Sequence, residues 1–415
     1  MIFLLLFLLA VLAWRNFAWG VYLVLFGLPI YAWRLSIGGI PTTALELMIY
    51  TLFIIWLIKV VTKKCTINYQ ALLAYVWPVI IMFAGVIIGV IISSDIRISL
   101  GILKGWFIDP LLLFVMITSV LATKIDLRKA ILAVVSSGVF LSIWALYQVV
   151  AHQFITIDQR ASAFFTSANY LALYLAPIIV LGLGLLNIHS RIKKTFIVVS
   201  LLAMSAALYF TFSYGGWLGL IAAASVLAFI YLPKWPTIVG AVAMVGLAIV
   251  SQLQHPKFQQ MLDLIGRSSS HLRLQIWATA WLMIKTHPVF GIGLGLFEKR
   301  YAEFVYQLFN SPLETKVLHA HNLFLIFWIN AGILGLVGFV GLMVTFFRYA
   351  FATLIKSKDL LAAATFSAMV ALLTHGLVDM AYWKNDLAAL FWSILAFGII
   401  LNQIANRELH VSHRN

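Results

Sequence analysis

Long apolar runs alternate with short polar breaks along this chain, and the runs set its plan. A membrane-crossing helix needs about 20 mostly apolar residues. The pattern predicts such spans at 1–33, 45–61, 72–92, 100–121, 130–150, 169–188, 196–212, 217–232, 237–252, 322–347, 361–378 and 387–401. That is about twelve spans, or about thirteen if the first run, interrupted at Arg15-Asn16, crosses twice. The runs are continuous rather than alternating, so they predict helices and not barrel strands. The expected fold class is an all-α polytopic membrane protein. The start, Met1 to Ala13, lacks the basic segment of a signal peptide and reads as membrane-embedded.

One polar stretch breaks the pattern, from Gln252 to Leu318. It divides the chain into amino-terminal transmembrane helices (1–251), a loop domain (252–320) and carboxy-terminal transmembrane helices (321–415). A loop of that length in a compact protein is usually functional. Leu274, Ile276, Trp277, Ala280, Trp281 and Ile284 fall at helical spacing, which predicts a short helix that Thr286-His-Pro288 ends. Gly291-Ile-Gly293-Leu-Gly295 then predicts a glycine-rich turn, and Phe297 to Leu308 a second amphipathic helix suited to a membrane surface.

Charge adds an orientation. Lys63, Lys64, Lys124, Arg128, Lys129, Arg191, Lys193, Lys194, Lys234, Arg348, Lys356, Lys358, Arg407 and Arg414 occupy one set of loops and the tail. The alternate short loops hold only Arg34, Arg97, Arg160 and Lys384. Basic loops stay in the cytoplasm, so the long loop, with 158–167, 213–216 and 379–386, is expected outside. Composition agrees: 63% hydrophobic residues, 10% charged and a mean hydropathy of +1.04 exclude a soluble globular protein. The net charge of +15 reports the basic loops, and no nucleic-acid partner is expected. The single cysteine, Cys65, excludes an internal disulfide and a thiolate metal cluster.

Candidate chemistry collects where the loop re-enters apolar sequence, at His319-Ala-His-Asn322. A histidine there can accept or hand on a proton near neutral pH. Asn322 can hydrogen-bond a sugar or orient a ring nitrogen. The plainer alternative is that His319 and His321 only cap a helix at headgroup level. If the helix has already begun, His319 points about 200° around from His321. The preceding loop carries Arg267, Arg273, Lys285, Lys299, Arg300 and Lys316. A proton acceptor beside cations suits an anionic, lipid-carried substrate.

Arg273 starts the first loop helix, and its planar fork suits pyrophosphate, though a solvated loop arginine is the alternative. Arg267-Ser-Ser-Ser270 is a weaker candidate. Arg160, followed by the membrane-entering Asn169, either binds a phosphate or sugar or anchors its loop. Lys104 and Asp109 interrupt an apolar run, and Lys104, about one turn below the outer surface, either lines an external cavity or snorkels. His375 and Asp379 share a helix face at i and i+4 but supply only two metal ligands, so a structural pair is expected. The glycine turn is no Walker loop and is expected to pack by its backbone. No external carboxylate cluster, no His-Glu-x-x-His and no Gly-x-Ser-x-Gly occur. No metal or cofactor is therefore expected, since fixed cations can stabilise a pyrophosphate leaving group. The candidates cluster on one side rather than along a central path, which favours an enzyme over a transporter of lipid-linked glycan.

With these residues in place, the chain resembles the bacterial O-antigen ligase superfamily, which also holds O-antigen polymerases and protein O-oligosaccharyltransferases. His321-Asn322, nine residues, then Gly332-Ile-Leu-Gly335 looks like the ligase signature. Arg273-x-x-x-Trp277 and Pro288-x-x-Gly291-x-Gly293-x-Gly295-x-Phe297 are similar to the superfamily's loop, and 160–169 to its earlier Arg…Phe…Asn segment. The resemblance covers about Arg160 to Asp379; the amino-terminal part matches only as hydrophobic spans. It implies a GT-C-like, metal-independent, inverting glycosyltransferase at the outer face of the inner membrane. The implied donor is an undecaprenyl-pyrophosphate-linked glycan, and the acceptor is lipid A–core or a growing glycan. By the same resemblance His321 is the essential histidine, and Arg273 contacts pyrophosphate. Where the superfamily often has Ser-Arg-Gly, this chain has Ser213-Tyr214-Gly215, leaving Arg160 or Lys104 as the substitute cation. Asn330 stands in place of a frequent acidic residue before the Gly-x-x-Gly.

Overall fold

The computed structural model describes residues 2–251, 253, 258, 259 and 268–412; Gln252, Arg267 and Arg414 lie outside the described residues. The described chain is helical apart from one hairpin. Its helices are α1 (Ile2–Arg15), α2 (Phe17–Phe26), α3 (Ala44–Val61), α4 (Tyr69–Leu73), α5 (Val76–Ile91), α6 (Ile96–Ile102), α7 (Asp109–Val120) and α8 (Lys124–Ala151). They continue with α9 (Ala168–Leu183), α10 (Arg191–Phe210), α11 (Tyr214–Tyr231), α12 (Lys234–Val250), α13 (Ser269–Thr286), α14 (Phe297–Leu308), α15 (Leu323–Ser357), α16 (Leu360–Gly376) and α17 (Asn385–Ser412). A π-helical turn, Leu103–Ile108, joins α6 to α7 into one apolar rod.

Among the described residues, seven helices are long and apolar enough to cross a membrane. Shorter apolar helices, including α5, α9 and α16, pack between them. This is a polytopic helical membrane protein. Large side chains such as Ile54, Trp77, Leu202 and Val242 face outward along the apolar helices, an extended apolar surface suited to lipid. With lipid outside, apolar burial does little to drive helices together, and close backbone contact replaces it. α5 and α15 make the tightest crossing. A methyl group on Gly85 would stand 2.3 Å from the Gly335 nitrogen, and one on Gly338 2.2 Å from the Met82 nitrogen.

The run 1–33 folds as two short helices, with Asn16 capping α2 through its side chain. α2 turns back on α1, since a methyl on Gly20 would meet Ala13 at 2.7 Å. The loop after them departs from the all-α expectation. Arg34–Ile37 (β1) and Ile40–Thr43 (β2) pair antiparallel, Arg34 opposite Thr43, around a Gly38-Gly39 tip with positive φ at both glycines. Two adjacent glycines satisfy the tight primed turns that match strand twist, a signal present in the sequence but not read there.

Helix reversal segregates the loops to two ends. At one end Arg128 donates to the Asn187 carbonyl, Tyr231 to the Lys358 carbonyl, and Lys124 pairs with Asp359. At the other, Ser99 donates to Leu294, Lys104 to Pro41 and Arg273 to Val378. The basic loops share the first end; the long-loop helices, the hairpin and the histidines share the second.

Candidate active site

His321 closes the segment before α15. Its φ of +46° is left-handed, a costly choice for a residue with a Cβ. Asn322 follows as the cap of α15: its Oδ1 accepts from the Phe324 and Leu325 amides at 3.0 Å, and its Nδ2 donates to the Leu377 carbonyl at 2.9 Å. Asn322 is thus spent on the helix end and on the loop after α16, and orients no ring nitrogen. The backbone carbonyl of His321 accepts from the Trp277 indole at 3.3 Å, which ties α13 to the same turn. Because α15 begins only at Leu323, the two histidines do not diverge by a helical twist. Their rings meet edge to face with centroids 4.4 Å apart; the divergence of about 200° applied only to a helix already begun, and here it has not.

His321 Nδ1 lies 3.3 Å from Asp379 Oδ1. A carboxylate can only accept, so Nδ1 carries the proton and Nε2 is left as the basic nitrogen. Asp379 also accepts from its neighbour Met380 N at 2.9 Å, and its Oδ2 accepts from Asn169 Nδ2 at 2.8 Å. Burial alone would raise this carboxyl, but the hydrogen bond from His321 and the fields of His321, His375 and His319 hold it below the usual carboxylate range. The sequence pairing of His375 with Asp379 is replaced: α16 ends at Gly376, and Asp379 turns to His321, 58 residues away.

Asn169 connects this pair to Arg160, whose Nη2 donates to Asn169 Oδ1 at 2.7 Å. Arg160 also donates through Nε to the Thr211 carbonyl at 2.5 Å and through Nη1 to Asp158 at 3.1 Å. It lies close enough to Tyr214, the first residue of α11, for its charge to act on the phenol. Arg273 approaches from α13. Its Nε donates to the Val378 carbonyl at 3.1 Å, while its two terminal nitrogens have no ion pair among the described residues. Its charge acts on both Arg160 and His319. His319 Nε2 lies 3.2 Å from the Tyr170 hydroxyl, and burial, then the charge of His321, lower its pKa to about 4.

A cavity of about 870 Å³ opens beside His319 and Tyr170 and runs to Lys104, Trp106, Trp383 and the hairpin. Lys104 lines it as expected, yet its ammonium is paired with Glu46 at 2.8 Å and the Pro41 carbonyl at 2.9 Å. Arg160, Arg273, His321 and Asp379 form one group, linked through Asn169, Val378 and the His321–Asp379 contact; none of the four lines this cavity, whereas Lys104 does. The glycine turn packs by backbone as expected: the Ile292 amide bonds Ile329, the Leu294 amide Gly89, and the Gly295 amide Asn330 Oδ1 at 2.6 Å. Gly332, with a φ of +64°, kinks α15 to receive it, where a Cβ would meet the Val289 carbonyl at 2.2 Å. His319, His321 and Asp379 place ligand atoms within 4.8 Å of one another, enough for a metal in number. Tyr170 holds His319 Nε2 and both Asp379 oxygens accept hydrogen bonds, whereas His319 Nδ1 has no hydrogen-bond partner among the described residues and the His321 ring is hydrogen-bonded there only through Nδ1.

Residues 199–340 match the family profile described as O-antigen ligase. The resemblance to O-antigen ligases holds. An O-antigen ligase of Salmonella typhimurium (strain LT2) is 25% identical over 287 residues, covering 65% of this chain and 69% of the other. The O-antigen ligase match spans α10 to α15 and so contains Tyr214, Arg273, His319, His321 and Asn322. Lys104, Arg160, Asn169 and Asp379 lie outside it and reach the same end of the bundle through the fold. Asp379, expected only as a structural partner of His375, is brought by the fold to His321; its signal was a carboxylate in the short loop after α16.

Proposed function

We propose that this chain is a glycosyltransferase that moves a glycan from undecaprenyl pyrophosphate to an acceptor hydroxyl at the outer face of the cytoplasmic membrane. The leading form is an O-antigen ligase with lipid A–core as acceptor. The observation that carries the reading is the His321–Asp379 pair beside the open fork of Arg273. In this reading about twelve spans surround the site, and residues 252–320 form its outer domain. His321 Nε2 takes the proton of the acceptor hydroxyl as that oxygen bonds to the anomeric carbon. The bond from that carbon to pyrophosphate breaks on the opposite face, which inverts the centre. Arg273 receives the departing pyrophosphate charge bidentately, and Arg160 adds a second positive charge where Tyr214 replaces an arginine. Asp379, as a carboxylate, stabilises the imidazolium that forms. Lys104, neutralised by Glu46, takes no part in holding the donor.

A polymerase using the growing chain as acceptor shares every one of these steps. Product analysis separates the two: purified protein is given lipid-linked glycan with and without lipid A–core. Joined product only when lipid A–core is present supports the ligase. Longer lipid-linked chains without it support the polymerase, and no glycan transfer in either case refutes both.

A further inference from the structure

The short loop between α16 and α17 carries Lys384, which the transfer chemistry above does not use. Its ammonium sits 4.0 Å from the ring centroid of Phe165, 4.1 Å from that of Tyr170 and 4.6 Å from that of Tyr31. The nearest carboxylate, Asp386, is 3.6 Å away, and the ammonium has no hydrogen-bond partner among the described residues. An enclosed ammonium without hydrogen bonds is costly, and an apolar side chain of that length would fill the space without the cost. What the charge does have is three ring faces, whose negative quadrupoles attract a cation. One of those rings leads into the site: the Tyr170 hydroxyl lies 3.2 Å from His319 Nε2, and His319 meets His321 at 4.4 Å between ring centroids.

We propose that Lys384 is a positioning residue, which acts through Tyr170 to fix His319 as the neutral neighbour of His321. The inference rests on the glycosyltransferase reading for its effect on rate. A cation over the Tyr170 face draws electron density from the phenol, so the hydroxyl donates rather than accepts. His319 Nε2 is then the acceptor, and its proton sits on Nδ1. With Nε2 occupied, His319 does not compete with His321 for the acceptor's proton, and positive charge develops only on the imidazole that Asp379 backs. Burial lowers the Lys384 pKa to about 8, and the Asp386 carboxylate opposes that shift.

The test uses the full chain in lipid nanodiscs and compares Lys384→Met, Lys384→Arg and Tyr170→Phe. Losing one hydrogen bond's worth of positioning corresponds to about tenfold in kcat. Lys384→Met and Tyr170→Phe should each show that loss with donor affinity unchanged, and Lys384→Arg should recover most of it. Because the lysine acts through the tyrosine hydroxyl, the double variant should be no slower than Tyr170→Phe alone. Wild-type kcat in Lys384→Met, or losses that multiply in the double variant, would overturn the proposal. If Lys384→Met does not fold, Tyr170→Phe decides, since it removes one oxygen and keeps the ring. A second readout is independent of transfer. Nitrogen-15 spectra of histidine-labelled protein, assigned with His319→Gln, should show protonated Nδ1 and bare Nε2 at His319, giving way to mixed tautomers in both variants. An unchanged His319 signal in both overturns the positioning role even if the chain transfers no glycan.

Discussion

Replacing Asp379 by asparagine changes one atom and puts the account under strain at a defined place. The carboxylate accepts from three donors: His321 Nδ1, the Met380 amide and Asn169 Nδ2. An amide has one oxygen and must turn an NH₂ toward at least one of them. If the NH₂ faces Asn169, two amide donors meet, and Asn169 cannot flip without losing its 2.7 Å bond from Arg160. If it faces His321 instead, the imidazole must accept at Nδ1, its proton moves to Nε2, and the base is lost. Either arrangement leaves a buried donor unmatched, at a cost of about 1–3 kcal/mol, and removes the charge that stabilises the imidazolium. General-base help is typically worth about 10²–10⁴-fold, so Asp379→Asn should lower kcat by about 10²–10³-fold. The assay is transfer from purified lipid-linked glycan by protein in nanodiscs, with donor affinity measured separately by binding. Donor affinity should stay within about threefold, because no donor contact is assigned to Asp379. A variant that keeps kcat within about threefold of wild type would refute the pairing of His321 with Asp379 as part of the chemistry.

Arg273→Lys keeps the charge but loses the fork, so donor affinity should fall in it nearly as far as in Arg273→Ala; unchanged affinity in both would assign Arg273 to holding Val378 alone. Lys104→Met should leave donor affinity unchanged, because its ammonium is already neutralised by Glu46; a tenfold loss, about 1.4 kcal/mol, would place it at the donor after all. Transfer should survive excess EDTA, and a loss restored by magnesium or manganese would turn His319, His321 and Asp379 into a metal site. Cysteines at Ser269 and Ser311, in a Cys65→Ala background, should react with an impermeant thiol reagent from outside intact cells; labelling only after lysis would reverse the orientation.

Periodicity made the helices legible because lipid removes the usual ambiguity: an apolar run of span length has few other folds open to it. The loop helices were equally plain, and α14 occupies Phe297–Leu308 as the pattern predicts. The hairpin 34–43 was missed because two four-residue strands carry too little alternation to stand out between apolar runs. The site divides the same way. His321 and Arg273 stood out as candidates because each sits at a boundary where a polar group needs a reason. Their partners did not. Asp379 is far from His321 in sequence, and Asn169 looks like a helix start. Only the packing of α9 against α16 brings Asn169 and Asp379 together. Asn322 was ambiguous for a related reason, since a residue type suited to sugars is equally suited to capping a helix, as its side chain does here. The ion pair of Lys104 was not legible because its carboxylate partner, Glu46, lies in another helix.

The central claim is that His321 removes the acceptor's proton. Single-turnover transfer by His321→Ala, in nanodiscs with donor bound beforehand, tests it most directly. The account predicts normal folding and normal donor affinity, with the transfer step slowed by about 10²–10⁴-fold. A transfer step within a few fold of wild type, or a loss that appears wholly as weakened donor binding, would contradict it.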